Sequence, residues 1–322
     1  MKIINGVNIY MKKTILGRTG LEVSIAGLGA GGHSRLGISK HGQDHAAMIV
    51  RTAFDNGVNF FDTATIYGTE EAVGLGLSGI PREKYVLSTK FPYKNDQGIN
   101  TPEKLEQTLV ESLIALQTDY IDIYNLHGVS PGDYDKIVDI LLPVMQKAQK
   151  QGKIRFLGIT EQFGGDNSHI MLKQAVADAF FDVIMVGYSI INPSAAKTIL
   201  PITIEKNIGV QCMFAVRNAL SNPEQLKVDI QRILEKNQAD PAIMEAYGTL
   251  DFLISEGAAA SIMEAAYRFC SNTPGIHVTL TGTGNGGHLI DNIKAIQSPA
   301  LPDDILQRLD MMFGNVDCVS GQ

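Results

Sequence analysis

Four chemically distinct side chains stand at the ends of short β-rich runs. Asp62 and Tyr67 lie in Phe60-Phe-Asp-Thr-Ala-Thr-Ile-Tyr-Gly68, Lys90 closes Leu87-Ser-Thr-Lys90, and His127 closes Tyr120-Ile-Asp-Ile-Tyr-Asn-Leu-His127. A carboxylate, a phenol, an ammonium and an imidazole make an acid–base set. An ammonium beside a phenol favours the phenolate. A tyrosine tuned in that way can pass a proton near neutral pH. Asp62 can hold Lys90 as an ion pair, and His127 can hydrogen-bond an oxygen that gains charge. Taken singly, Tyr67 reads as a packed surface tyrosine and His127 as a structural histidine. Their arrival at successive strand ends is what raises the chemical reading above these.

The elements around them must bring the four to one place. β-rich runs at Ser24–Leu28, Val58–Phe61, Lys84–Thr89, Tyr120–Leu126, Ile154–Ile159, Asp182–Val186, Gly209–Met213 and Ile276–Leu280 alternate with helical patterns. The helices are predicted at Gln43–Asn56, Glu70–Leu77, after Thr101-Pro102, at Tyr134–Lys150 with a break at Pro143, and at Ser168–Ala179. More follow at Pro193–Asn207 with a kink at Pro201, and at Pro223–Asn237, Ser255–Cys270, Gly287–Gln297 and Leu301–Phe313. Thr101 suits an N-cap and Pro102 the first helical position, with Leu105, Leu109, Leu113 and Leu116 at helical spacing. Alternating β and α implies a parallel sheet with helices outside it. Eight such units predict a single α/β (β/α)8 TIM barrel, with an N-terminal hairpin at Lys13–Glu22 and an extra C-terminal helix. In that fold the C-terminal ends of the strands form the active-site mouth. The chain reads as one domain, 1–322, with Met1–Tyr10 as a loose extension before a second plausible start at Met11.

Two stretches fit the GxGxxG pattern. Gly27-Leu-Gly-Ala-Gly-Gly32 is followed by a polar loop where a dinucleotide fingerprint needs a helix, so it reads as a strand-to-loop turn. Gly282-Thr-Gly-Asn-Gly-Gly287 follows the last strand and precedes a helix, where backbone N–H groups can hold a phosphate.

Composition narrows the class. Of 322 residues, 44% are hydrophobic and 19% charged, and the net charge of −7 argues against nucleic-acid or anionic-membrane partners. The three cysteines, Cys212, Cys270 and Cys318, form no CxxC pair, which suits reduced thiols in a cytoplasmic protein. No apolar run reaches the roughly 20 residues of a membrane span, and no secretory signal is expected. No metal is expected either: the histidines include no H-x-H, and Gly42 stands after His41 where H-E-x-x-H needs its glutamate.

The chain resembles the aldo-keto reductase superfamily along nearly its whole length, from Leu16-Gly-Arg-Thr-Gly-Leu21 to Gly282-Thr-Gly-Asn285. The Phe60–Gly68, Leu87–Lys90 and Tyr120–His127 segments and Gly152-Lys-Ile-Arg-Phe-Leu-Gly158 are similar to the family's signatures. The resemblance implies an NAD(P)(H)-linked oxidoreductase that interconverts a carbonyl and an alcohol or lactone. It carries catalytic roles onto Asp62, Tyr67, Lys90 and His127. It carries cofactor contacts onto Ala30, Gly31, Asp62, Thr160, Met213, Gly282, Thr283, Gly284, Asn285, His288 and Asn292. Gly158-Ile-Thr160 and Tyr188-Ser-Ile-Ile-Asn192 resemble the branch with L-galactose and related aldose dehydrogenases, which implies a small carbonyl or sugar substrate. A cofactor-binding regulatory module on the same barrel is the alternative it leaves.

The chain also departs from the family. Thr160-Glu161 stands where members often have Ser-Asn, Met185 where a glutamine is common, and Met213 or Phe214 where an aromatic ring stacks on nicotinamide. The loop at Gly284, Asn285 and His288 lacks the cation that usually holds a 2′-phosphate, with Arg217 as a substitute of unknown placement. NAD(H) is therefore expected to serve at least as readily as NADP(H). The oligomeric state is not legible.

Overall fold

In the computed structural model, which describes residues 11–322, eight parallel strands close into a barrel. They are β1 (Ala26–Gly29), β2 (Phe60–Asp62), β3 (Val86–Pro92), β4 (Ile121–Val129), β5 (Ile154–Glu161), β6 (Val183–Gly187), β7 (Gly209–Met213) and β8 (Val278–Thr281). Each strand pairs with the next, and β8 closes on β1 with Thr279 opposite Ala26 and Thr281 opposite Leu28. The expectation for Met1–Tyr10 falls outside the described residues.

The period of two along a strand explains how the barrel interior is filled. Phe60, Val86, Ile123, Val183 and Val278 form an apolar plug with Leu16, Leu21 and Val23 of the N-terminal hairpin. The hairpin pairs Lys13–Ile15 with Glu22–Ser24, and Arg18 ties it to the barrel through Asp182 at 2.9 Å. Two residues above the plug, the same inward faces carry Asp62, Ser88 and Asn125. Two residues higher stand Lys90 and His127. One alternation thus makes the barrel apolar at its base and polar at its mouth. Glycine closes the interior where strands come nearest: a Cβ on Gly27 would lie 2.6 Å from the Val278 side chain and 2.8 Å from Leu280.

The outer helices follow their local signals. Thr101 accepts from the Lys104 N–H at 3.3 Å and opens Pro102–Ala115, where Leu105 and Leu109 face the core. Pro143 and Pro201 each divide the helix predicted around them, giving Tyr134–Ile140 with Leu142–Lys150 and Ala195–Thr198 with Leu200–Glu205. Gly57, at φ 89°, stops Gln43–Asp55. The predicted helix over Ser255–Cys270 is corrected. Gly257, at φ 74°, ends Phe252–Ser255, and Ser261 caps a new helix, Ile262–Ser271, by accepting from the Glu264 N–H at 3.0 Å.

Between β7 and β8 the helices Pro223–Glu235, Pro241–Tyr247 and Phe252–Ser255 pack on the C-terminal helix Asp303–Phe313. They form a second apolar cluster with Leu226, Ile233, Leu253, Leu309 and Phe313 at its centre. Among the described residues no helix is long and apolar enough to cross a membrane.

The polar interior depends on a glycine. A Cβ on Gly158 of β5 would run into the Asn125 amide, which donates to the Ser88 hydroxyl at 3.1 Å. Gly158→Ala is expected to destabilise by about 1–3 kcal/mol through overpacking. Thermal unfolding checks this: an unchanged midpoint would show that Asn125 is not confined there.

Candidate active site

Lys90 is almost fully enclosed, with 1% of its surface exposed. Its ammonium donates to Asp62 Oδ2 at 2.5 Å and to the Thr63 carbonyl at 2.7 Å. The other Asp62 oxygen accepts from Ser88 Oγ at 2.8 Å. Burial raises the Asp62 carboxyl against the pull of Lys90. Burial also opposes the Lys90 charge, yet Asp62, then Tyr67 and Glu70, bring the lysine above its ordinary value. Each member of the pair holds a further hydrogen-bond partner, as a buried ion pair requires.

Tyr67 is delivered by a tight turn. After β2 the chain makes one 3-10 turn over Thr65–Tyr67, ended by Gly68 at φ 67°. The ring thereby comes over Lys90, whose Nζ lies 5.1 Å from the ring centroid. Tyr67 Oη lies 3.2 Å from His127 Nε2, with the two rings nearly perpendicular at 86°. Burial, followed by the nearby Lys90 charge, pushes the His127 imidazole down to about 3. At neutral pH it is therefore an uncharged group with one N–H. Gly31 packs on the tyrosine: a Cβ there would lie 2.6 Å from the Tyr67 ring. All four predicted acid–base residues meet at one mouth.

This mouth opens into a cavity of about 980 Å³ that runs from Tyr67 and His127 past Thr160, Met185 and Met213 to Thr283, His288, Asn292 and Lys294. That size is near the upper end of ordinary ligand pockets, about 300–1,000 Å³. The far end fits a dinucleotide. Cβ atoms on Gly282 and Gly284 would lie 2.6 Å from the Gly29 carbonyl and 2.7 Å from the Gly37 amide nitrogen. The loop after β8 can thus lie flush against the loop after β1. Beyond it begins the 12-residue helix Gly286–Gln297, of which His288, Asp291 and Asn292 reach the cavity.

Gly31, Asp62, Thr160, Met213, Gly282, Thr283, His288 and Asn292 all line the cavity. Ala30, Gly284 and Asn285 are not brought into the lining. Ala30 is buried in the core, and its N–H and carbonyl are taken by the Asp62 carbonyl and the Thr69 hydroxyl. The Gly284 carbonyl meets His45 Nε2 at 2.7 Å. The Asn285 side chain caps the helix by accepting from the His288 N–H at 3.1 Å.

At the Thr160-Glu161 departure, Thr160 Oγ accepts from the Gly128 N–H at 2.7 Å and keeps its own proton to donate. Glu161 borders the cavity, but its carboxylate is already engaged. Its carboxylate meets His169 Nδ1 at 2.9 and 3.0 Å and accepts from the Gly187 N–H at 2.7 Å. Lys294, Asp291 and Glu264, which also line the cavity, were not anticipated. His288, Asp291, Asn292 and Ala295 follow the i, i+3, i+4, i+7 rule, so the helical face was legible. Glu264 comes from the helix group between β7 and β8 and carries no local signal. Among the described residues no three His, Cys, Asp or Glu side chains gather to hold a metal ion.

Comparison with known proteins bears on the family and the fold. A sequence profile of the aldo/keto reductase family matches residues 27–312, and the chain belongs to that family. It is similar to L-galactose dehydrogenase of Arabidopsis thaliana, 36% identical over 204 residues, which span 61% of this chain and 62% of the relative. The chain thus spans less than two thirds of that enzyme in the match. It is 27% identical to D-threo-aldose 1-dehydrogenase from a Pseudomonas species, over 65% of this chain and 71% of the relative. An aldo-keto reductase from Bacillus halodurans, solved in its holo form, superposes with a TM-score of 0.73 at 22% identity, covering 96% of this chain and 98% of that one. The protein is an oxidoreductase of the NAD(P)(H)-dependent kind.

The buried imidazole sets a pH dependence of stability. His127 titrates near 3 when folded and at 6.5 when free, so between these values the unfolded chain binds the proton first. Its contribution is full above about pH 6.5 and is lost as the pH falls towards 3, at most about 1.4 kcal/mol for each unit. Denaturant unfolding across this window is expected to show a shallower acid slope in His127→Gln than in the wild type. Equal slopes would contradict the assignment.

Proposed function

We propose that this chain exchanges a hydride between NAD(P)(H) and the carbonyl carbon of a small aldehyde, ketone or aldose, with Tyr67 as the general acid and base. The observation that carries this reading is the stack in which the Asp62–Lys90 pair lies beneath the Tyr67 ring while the tyrosine oxygen meets a neutral His127. Thr160, Met185 and Met213 would border the nicotinamide, and Gly282, Thr283, His288 and Asn292 the phosphates and adenosine. The bound nicotinamide supplies or accepts the hydride.

The protein's own residues do the rest. In reduction the Tyr67 hydroxyl gives its proton to the carbonyl oxygen. Lys90 stabilises the phenolate left behind, by a charge that Asp62 keeps in place. His127, being neutral, can donate its N–H to the same oxygen as negative charge builds there. In oxidation the phenolate takes the proton of the alcohol.

The similarity to L-galactose dehydrogenase and D-threo-aldose 1-dehydrogenase supports an aldose oxidised at its anomeric carbon as one substrate class. The adenosine end supports use of NAD(H) at least as readily as NADP(H). Its cation, Lys294, is 3.4 Å from Asp291, and Glu264 adds a second carboxylate. Glu264 is itself held by Arg268, so a 2′-phosphate would meet paired charges there and a lysine already engaged by Asp291. The free thiols of Cys212, Cys270 and Cys318 support a reducing, cytoplasmic setting.

Tyr67→Phe keeps the ring and removes the transferable proton. Turnover on an aldehyde and aldose panel is expected to fall by about 10²-fold or more, with NADH affinity within twofold of wild type by fluorescence titration. Wild-type turnover in the variant would sink the assignment. A preference of a hundredfold or more for NADP(H) in the parent enzyme would overturn the cofactor reading.

A further inference from the structure

We propose that Arg217 is a seat for an anionic group on the substrate, a carboxylate or phosphate carried by the carbonyl compound. The inference rests on the oxidoreductase reading above and adds a substrate class to it.

Arg217 follows β7 and is half-buried in the cavity wall. Its guanidinium lies over the Phe214 ring, 3.7 Å from the centroid. Among the described residues it makes no hydrogen bond and no ion pair, although it has five donors. Stacking on a ring fixes a guanidinium while leaving its edge N–H groups free, which suits the two oxygens of a carboxylate or phosphate. Three acidic side chains elsewhere in the wall are already engaged. Glu161 is held by His169, Glu264 by Arg268 at 3.2 Å, and Asp291 by Lys294.

The platform under Arg217 is built rather than incidental. Phe214 holds a left-handed backbone at φ 68°, a conformation that persists only where surroundings impose it. Its ring meets Phe163 edge-on at 5.3 Å, and Phe163 stacks on His169 at 5.3 Å and 11°. His169 is clamped by Glu161. Gly187 makes room, since a Cβ there would run into the Phe163 ring. The departure at Glu161 thus ends in a positioned guanidinium.

Placement distinguishes substrate from cofactor. A Cβ on Gly32 would lie 3.8 Å from the Arg217 Nη1, and the preceding Gly31 packs on the Tyr67 ring. At the other end of the same loop, Gly37 packs on Gly284 of the loop after β8. Arg217 therefore stands at the proton-donating end of the cavity. Its charge is felt there: burial lowers the guanidinium from its ordinary value while Tyr67 acts in the opposite sense.

The test pairs neutral and anionic substrates of matched size, butanal with succinic semialdehyde and galactose with galacturonate. The wild type is expected to favour the anionic member of a pair at least tenfold in kcat/KM. Arg217→Gln is expected to lose that preference through KM, with the neutral member within twofold. Arg217→Lys, which keeps the charge, should retain part of it. Equal losses on both members, or NADH binding weakened tenfold, would overturn the proposal in favour of a scaffold or cofactor-diphosphate role. Calorimetry of succinate binding to the NAD-loaded protein reads the seat without turnover. Saturable binding that Arg217→Gln abolishes and Tyr67→Phe preserves supports it, even if the carbonyl chemistry fails. Absence of binding in the wild type overturns it.

Discussion

The ion pair between Lys90 and Asp62 is the constraint around which the upper barrel is organised. An ammonium with 1% exposure would be untenable alone, and so would the carboxylate beside it. Each is therefore supplied with further partners. Ser88 bonds Asp62, Asn125 bonds Ser88, and the Thr63 carbonyl bonds Lys90. These groups come from β2, β3 and β4, so the pair also fixes how three strands sit beside one another. Because Asn125 fills the space where a side chain on β5 would lie, Gly158 belongs to the same arrangement.

A buried ion pair of this kind is a costly way to stabilise a fold, since apolar packing would serve as well. Its value lies above it. The Tyr67 ring rests within reach of a fixed positive charge, and its oxygen meets an imidazole that burial keeps neutral. Two neighbours of a single tyrosine thus differ in character, a charge beneath its ring and an uncharged hydrogen-bonding group at its oxygen. The cavity then extends away from this oxygen towards a glycine-lined turn and a helix start.

Much of this was legible in the sequence. The inward-facing triplets Val86, Ser88, Lys90 and Ile123, Asn125, His127 follow from alternation once the runs are taken as strands, and the barrel places their last members at the mouth. Proline and capping signals divided the helices at Pro143 and Pro201 and opened one at Thr101. What escaped depended on contacts distant in sequence. Ala30 reads as a mouth residue until its backbone groups are seen bonded to Asp62 and Thr69. Asn285 offers a polar side chain, but the helix start beside it claims that group. Glu161 reads as a faulty nicotinamide contact, and only the folded chain pairs it with His169. Arg217 had no assignable place because the left-handed turn at Phe214 decides where it points, and no residue type announces such a turn. The helix predicted over Ser255–Cys270 failed for a local reason, the stop at Gly257 and the new cap at Ser261.

The most direct test of the account is single-turnover hydride transfer in the double variant Lys90→Met with Asp62→Asn, measured at saturating dinucleotide. Removing both charges together avoids leaving either one buried alone. The account predicts a folded protein that binds dinucleotide with wild-type affinity and transfers hydride slower by about two orders of magnitude, the scale of lost acid–base assistance. Transfer at the wild-type rate would contradict it, because Tyr67 would then handle its proton without the charge beneath it.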